Sequence, residues 1–334
     1  MNTHIPSEEL AAICERALRA SGADTRAAHV LARATTEAEQ SGNRAVGVGH
    51  LFDYLDGYRT GRITAETNPD VRRLTSAVID VDARGGLAQV AFDEASAAFD
   101  HAIRGAGIAA MWIRGSYTCG ELGYYPRRLA QRGFVAVATA NSPALMSLGG
   151  SPRPILGTNP LAYAIPRPGQ LPMVIDQASS STAFVNIRRA AVAEEAIPAG
   201  WALDSAGAPT TNAEEALSGV LLPFGGHRGG NIALLVELLA TLSGANFSLD
   251  AAPFDRGETS PGIGVFLLGI DPANFPGSLG RLANHFETLH SDHQVNLPAL
   301  GLTELPQQVS IDPAVLKRLR AIASQQTPIS TSQR

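Results

Sequence analysis

The stretch Ile108-Ala109-Ala110-Met111-Trp112-Ile113-Arg114-Gly115-Ser116-Tyr117-Thr118-Cys119-Gly120 places an apolar segment of strand length directly before a glycine-bounded turn. Where such a turn opens a helix, main-chain N–H groups and the helix dipole converge on one point, a position suited to a phosphate. The same texture extends to both sides. Residues 77–81, 134–138, 173–175 and 262–269 are further apolar runs of strand length, and 87–103 and 121–131 read as helices between them. Strands alternating with helices predict an α/β chain.

The chain ends read differently. Ser7-Glu8-Glu9 opens a helix, a second spans 24–40 and stops at Ser41-Gly42-Asn43, and a third spans 48–60. In the third, Val48, Leu51, Phe52, Leu55 and Tyr58 share one stripe, while His50, Asp53, Tyr54 and Gly57 fall on another face. The segment 231–243 is apolar almost all round and is expected to be deeply buried, and 313–324 forms a terminal helix.

Composition narrows the function. With 334 residues, 45% hydrophobic and 17% charged, the chain is long enough to bury a full core in one large domain or two. A net charge of -5 leaves no basic footprint, so neither nucleic acid nor an anionic membrane is an expected partner. Lys317 is the single lysine among 26 basic residues, and it lies far from any glycine-rich loop. That removes the P-loop, the protein-kinase strand lysine and the Schiff-base lysine of pyridoxal-phosphate enzymes.

Cys14 and Cys119 lack CxxC spacing, so neither a zinc knuckle nor a disulfide framework is indicated. His285, His290 and His293 do not stack on one helix face, and no metal is expected. The start Met1-Asn2-Thr3-His4-Ile5-Pro6 has no basic or apolar leader region. The longest apolar run, 232–242, is too short for a membrane span and contains Glu237, so a cytoplasmic protein is expected. A GxSxG elbow is absent, because Leu145 stands where the leading glycine of Ser147-Leu148-Gly149 would have to be. No GxGxxG follows a strand either: Gly47-Val48-Gly49 lies between helices. A second glycine-rich turn, Gly225-Gly226-His227-Arg228-Gly229-Gly230, precedes the apolar helix and adds a guanidinium able to hold an anion.

Mid-chain blocks carry a resemblance. Asn141-Ser142-Pro143, Gly149-Gly150, Leu156-Gly157-Thr158-Asn159-Pro160-Leu161-Ala162 and Ile175-Asp176-Gln177-Ala178-Ser179-Ser180 come first. Ile197-Pro198-Ala199-Gly200-Trp201-Ala202-Leu203-Asp204, Pro209-Thr210-Thr211 and Leu222-Pro223-Phe224-Gly225-Gly226-His227-Arg228-Gly229 follow in order. Together, over about 30 to 270, they resemble the malate/L-lactate dehydrogenase family of type 2, with its ureidoglycolate dehydrogenase, diketogulonate reductase and Δ1-piperideine- and Δ1-pyrroline-2-carboxylate reductase branches.

The resemblance implies a non-Rossmann nicotinamide-binding α/β (α+β) fold with a largely antiparallel sheet, a helical domain built from both chain ends, and a homodimer. It divides the chain into 1–74 with 300–334 and 75–299, with the substrate between them. It also implies NAD or NADP contacts at Thr118, Cys119, Gly120, Glu121 and Leu122, at Asp176, Gln177 and Ala178, and at His227 and Arg228.

The catalytic segment departs from that family. Its Asp-Ser-His-Gly falls on Arg44-Ala45-Val46-Gly47, its carboxylate-binding Arg on His50, and its histidine in the strand–Gly turn on Thr118. The acidic partner falls on Asn186, and a Pro-Gly-Glu motif is reduced to Pro298-Ala299-Leu300. His50 is then the substitute proton donor, Tyr54 either donates directly or orients it, Arg44 binds the substrate carboxylate, and Thr158 and Asn159 complete the substrate contacts.

The expected activity is NAD(P)H-dependent hydride transfer to a small 2-oxo or cyclic-imine carboxylate. A Δ1-pyrroline- or Δ1-piperideine-2-carboxylate-like substrate is slightly preferred, because an imine nitrogen can arrive already protonated. The alternative is a nucleotide-binding relative with altered or lost catalysis.

Overall fold

The central sheet is built from segments whose burial alternates along the strand, as in Ile108–Ser116, where Ala109, Met111 and Ile113 point into one core. The structure, a computed structural model, describes residues 2–325. Seven strands form the sheet in the order Asp70–Thr75, Val78–Asp82, Ile108–Ser116, Ile263–Ile270, Val135–Ala140, Leu161–Ile165 and Met173–Gln177. Val78–Asp82 and Ile108–Ser116 run parallel, joined by the helix Ala88–Ala106, and every other pairing is antiparallel. The expected α/β class with a largely antiparallel sheet is therefore the observed one. Its first strand begins at Asp70, ahead of the expected boundary at 75.

One sheet face packs on the helices Ala88–Ala106 and Tyr124–Gln131, burying Phe92, Phe99, Tyr124, Tyr125 and Leu129. A second core joins both chain ends. The strand Thr3–Pro6 pairs with Gln308–Ile311, and the helices Ser7–Ala20, Thr25–Gln40, Val48–Arg59 and Pro313–Ala323 interlock through Leu10, Leu18, Leu31, Leu51, Leu55 and Leu319. The part of the expected helical segment at 326–334 lies outside the described residues. A third, smaller core gathers Met146, Leu156, Ile187, Ile197 and Leu221 beside a three-stranded sheet of Val220–Leu221, Ala202–Leu203 and Pro209–Thr210.

The helix expected to be deeply buried spans His227–Thr241 and is buried on one side only. Ala233, Val236 and Ala240 face the sheet, and Trp112 donates its indole N–H to the Leu239 carbonyl at 2.9 Å. Leu235, Leu238 and Leu242 are 54%, 53% and 70% exposed, with Phe247 and Leu249 beside them in the chain also open. The helix is thus apolar on both sides but covered on one, leaving an exposed apolar face.

Candidate active site

The helix Val48–Arg59 starts where the buried Glu39 carboxylate accepts the Val48 N–H at 2.7 Å. Gly47 is required there, because a Cβ would lie 2.2 Å from Glu39 Oε1. The stripe Val48, Leu51, Leu55 and Tyr58 buries into the helical core, which turns His50 and Asp53 toward a cavity of about 400 Å³, within the usual range for a small-molecule site.

That cavity lies between the helical layer and the sheet. It is lined by Arg44, Val46, His50 and Asp53 from one side, by Thr118, Cys119, Gly120 and Leu122 from the glycine turn, and by Thr158, Asp176, Gln177 and Ala178 from the far strands. Most of the residues singled out in the sequence thus converge on one place.

His50 is fixed on both ring nitrogens. Asp53 Oδ2 lies 2.8 Å from Nδ1 and Thr118 Oγ1 lies 3.3 Å from Nε2. The ring also meets Tyr54 and Phe254 edge-on, with centroids 4.9 and 5.6 Å away. Asp53 is a neighbour at i+3 on the same helix, and its carboxylate stabilises an imidazolium when the ring is protonated.

Five expected contacts are placed elsewhere. Tyr54 is 2% exposed and does not line the cavity; its hydroxyl lies 2.5 Å from Thr118 Oγ1, one residue removed from the cavity space. Burial raises its phenol pKa, which keeps the group protonated. Asn159 is fully buried, and its amide N–H₂ donates to the Ala233 carbonyl and to Glu237. It holds the Thr158 loop against the helix and makes no cavity contact. Glu121 is buried in a bidentate ion pair with Arg127, at 2.6 and 2.9 Å. His227 and Arg228 are exposed on the first turn of their helix, outside the cavity lining.

Asp176 occupies the wall between these layers. Burial, with repulsion from Glu121, pushes its carboxyl up to about 6 against the opposing Gly123 N–H, which it accepts at 2.8 Å. Burial, then the Asp176 charge, also pushes the Cys119 thiol up to about 12, so Cys119 is a neutral wall rather than a nucleophile.

Arg188 was missed in the sequence. It lines the cavity from the helix Phe184–Val192 and stacks on Phe184 with 5.3 Å between guanidinium carbon and ring centroid. The spacing of Phe184 and Arg188, four apart, was its only signal. Neither Arg44 nor Arg188 has a carboxylate partner among the described residues.

A nicotinamide fits the walls. Leu122, Pro143, Leu145, Pro160 and Ile263 give the lining an apolar surface for a planar ring, and the glycine turn brings main chain to its edge.

The profile of the malate/L-lactate dehydrogenase family matches residues 5–301. The chain is 37% identical to the (2R)-3-sulfolactate dehydrogenase (NADP(+)) of Chromohalobacter salexigens, over 97% of this chain and 99% of that one. It is 32% identical to a Δ1-pyrroline-2-carboxylate/Δ1-piperideine-2-carboxylate reductase of Pseudomonas putida, over 90% and 88%. The crystal structure of the Δ1-piperideine-2-carboxylate reductase of Pseudomonas syringae superposes with a TM-score of 0.88 at 31% identity, covering 96% of this chain and 99% of that one. The fold and the relatives define a nicotinamide-dependent oxidoreductase without a Rossmann sheet. The chain belongs to the malate/L-lactate dehydrogenase family.

Proposed function

We propose that this chain is an NAD(P)H-dependent reductase of a small 2-oxo or cyclic-imine carboxylate, reversible toward the 2-hydroxy or 2-amino acid. The observation that carries the reading is that His50, held by Asp53, shares one cavity with Arg44 and with the Thr118–Leu122 and Asp176–Ala178 segments. When bound, a reduced nicotinamide supplies the hydride. His50 supplies the matching proton, Arg44 takes the substrate carboxylate, and the apolar wall limits water at the reacting carbon. The sulfolactate and imine-carboxylate relatives support both substrate classes. The Asp53–His50 pair serves a ketone, whose oxygen is weakly basic, and an imine that already carries a proton needs it less.

The proposed division sets the helical layer of both chain ends, with His50, against the sheet layer, with Thr118 and Asp176, and the substrate binds between them. The apolar face of the helix His227–Thr241 supports a homodimer. Two free thiols, Cys14 and Cys119, are compatible with a reducing cytoplasm.

The test pairs fluorescence titration of NADPH and NADH with turnover of (2R)-3-sulfolactate, Δ1-pyrroline-2-carboxylate and a panel of 2-oxo acids. Turnover of at least one carboxylate is expected. Tight cofactor binding without any turnover would instead mark a relative with altered catalysis, and failure to bind either cofactor would overturn the reading.

A further inference from the structure

The hydroxyl of Thr118 has a defined direction. Gln89 Nε2 is anchored by the Cys119 carbonyl at 3.0 Å, which fixes the amide so that its N–H₂ also donates to Tyr54 Oη at 3.3 Å. Tyr54 Oη and Thr118 Oγ1 lie 2.5 Å apart, so one hydroxyl donates to the other; with Tyr54 Oη already accepting from Gln89, the arrangement inferred below has the tyrosine donating to Thr118 Oγ1. The proton of Thr118 is left two choices, His50 Nε2 or the cavity. With His50 neutral and its Nδ1–H on Asp53, Nε2 takes it. With His50 protonated, Thr118 Oγ1 accepts from both Tyr54 and Nε2, and its own proton must point into the cavity. Gly120 protects this chain: a Cβ there would lie 2.6 Å from Gln89 Nε2 and 3.2 Å from Tyr54 Oη, and its φ is +63°.

We infer that the Thr118 hydroxyl is the group that exchanges a proton with the substrate, and that His50 refills it, with Tyr54 and Gln89 as positioning residues. The inference rests on the reductase reading above. In reduction the substrate carbon gains the hydride with its electron pair and the C=O π pair moves to oxygen. That oxygen takes the Thr118 proton as the new O–H bond forms. The Nε2–H proton of His50 passes to Thr118 Oγ1 in the same event, so the hydroxyl ends as neutral as it began. His50 is left neutral, hydrogen-bonded to Asp53, and recovers its proton from water. In oxidation each transfer reverses.

The geometry also accounts for how a threonine stands where the family carries a histidine: the acid has moved one layer back onto the helix, and the hydroxyl bridges the gap.

Two measurements test it. Nitrogen-15 NMR of histidine-labelled protein without ligands is expected to show His50 as the Nδ1–H tautomer, with an Nε2 resonance that moves in Thr118→Val and stays near its place in Thr118→Ser. An Nε2–H tautomer, or no response to Thr118→Val, overturns the relay whatever the substrate is. Oxidation of (2R)-3-sulfolactate by NADP+, or reduction of a 2-oxo acid by NADPH, is expected to slow by about 10²-fold or more in Thr118→Val, with cofactor affinity retained. Thr118→Ser should recover most of that loss, and Tyr54→Phe should slow turnover by about 10-fold while enlarging the solvent isotope effect. If Thr118→Val keeps full turnover while His50→Gln loses it, His50 donates directly and the relay is wrong, although the reductase reading stands. If both keep it, the assigned acid fails as well.

Discussion

Asp53 Oδ2 lies 2.8 Å from His50 Nδ1 on the same helix, which commits that nitrogen to the carboxylate and leaves Nε2 as the working end of the ring. A carboxylate in this position fixes the ring orientation and balances the charge that appears when the ring is protonated. Asp53→Asn keeps the shape and removes the charge. It is expected to lower kcat by about 10²-fold with the dissociation constant of NADPH essentially unchanged, measured by stopped-flow and fluorescence titration. Equal loss of cofactor binding would mean that Asp53 serves the cavity wall rather than His50.

Arg44 reaches the cavity from the short turn Arg44–Val46 and has no carboxylate within ion-pair distance among the described residues. A free guanidinium at that point is suited to a substrate carboxylate, where charge-assisted hydrogen bonds contribute about 1.5–3 kcal/mol. Arg44→Gln should therefore raise KM for the carboxylate substrate by about 10- to 10²-fold and leave the cofactor dissociation constant in place. Steady-state kinetics at saturating NADPH separates the two parameters, and a fall in kcat alone would reassign Arg44.

Much of this arrangement is legible in the amino-acid sequence itself. Short apolar runs of strand length locate the strands, and the helix face that carries His50 and Asp53 away from the Val48–Leu51–Leu55 stripe points to the site, although nothing in the sequence alone singles out Asp53 as the partner of the ring. Tyr54 shares the side of the helix that carries His50, yet it ends 2% exposed, because the Tyr117 ring packs on it from the glycine turn at 5.4 Å between centroids. Such a contact between segments far apart in sequence leaves no trace in helical periodicity. Asn159 reads as a loop polar residue, but its role depends on Glu237, which also accepts from Ser248 through both the backbone N–H and the hydroxyl. The apolar composition of 231–243 shows that its surface must be covered without showing by what.

Asp176 gives a pH signature. Its carboxyl is raised from 3.8 to about 6, so between those values the folded state holds a proton that the unfolded state has lost. Stability contributed by the protonated form is complete below pH 3.8 and is lost as pH rises to about 6, above which the buried charge costs up to about 3 kcal/mol. Asp176→Asn retains an oxygen for the Gly123 N–H and carries no charge. It should raise the urea midpoint at pH 8 relative to the unsubstituted protein and narrow the difference at pH 5. A lowered midpoint at pH 8 would show that attraction to Arg127 outweighs burial, since Arg127 also acts on this carboxyl.

The exposed leucines of the helix His227–Thr241 make the final expectation. Leu235, Leu238 and Leu242 recur at helical spacing on the side away from the sheet, each more than half exposed, with Phe247 at 50% and Leu249 at 65% shortly after the helix. Water contact at that many large apolar groups is unfavourable by roughly 25 cal/mol per Å², and a second copy of the same face removes it for both subunits at once. Light scattering of the unsubstituted protein at micromolar concentration should give a dimer. Leu235→Glu with Leu238→Glu should give a monomer of unchanged circular dichroism, since charges on an already exposed face cost the subunit fold little. The helix also carries Ala233 and Glu237, which hold Asn159 and hence the Thr158 loop at the cavity. The monomer should therefore bind substrate more weakly while its His50, Asp53 and Thr118 contacts stay intact. A native protein that is monomeric at these concentrations would overturn the dimer, and a double variant that remains a dimer would move the subunit contact to another face.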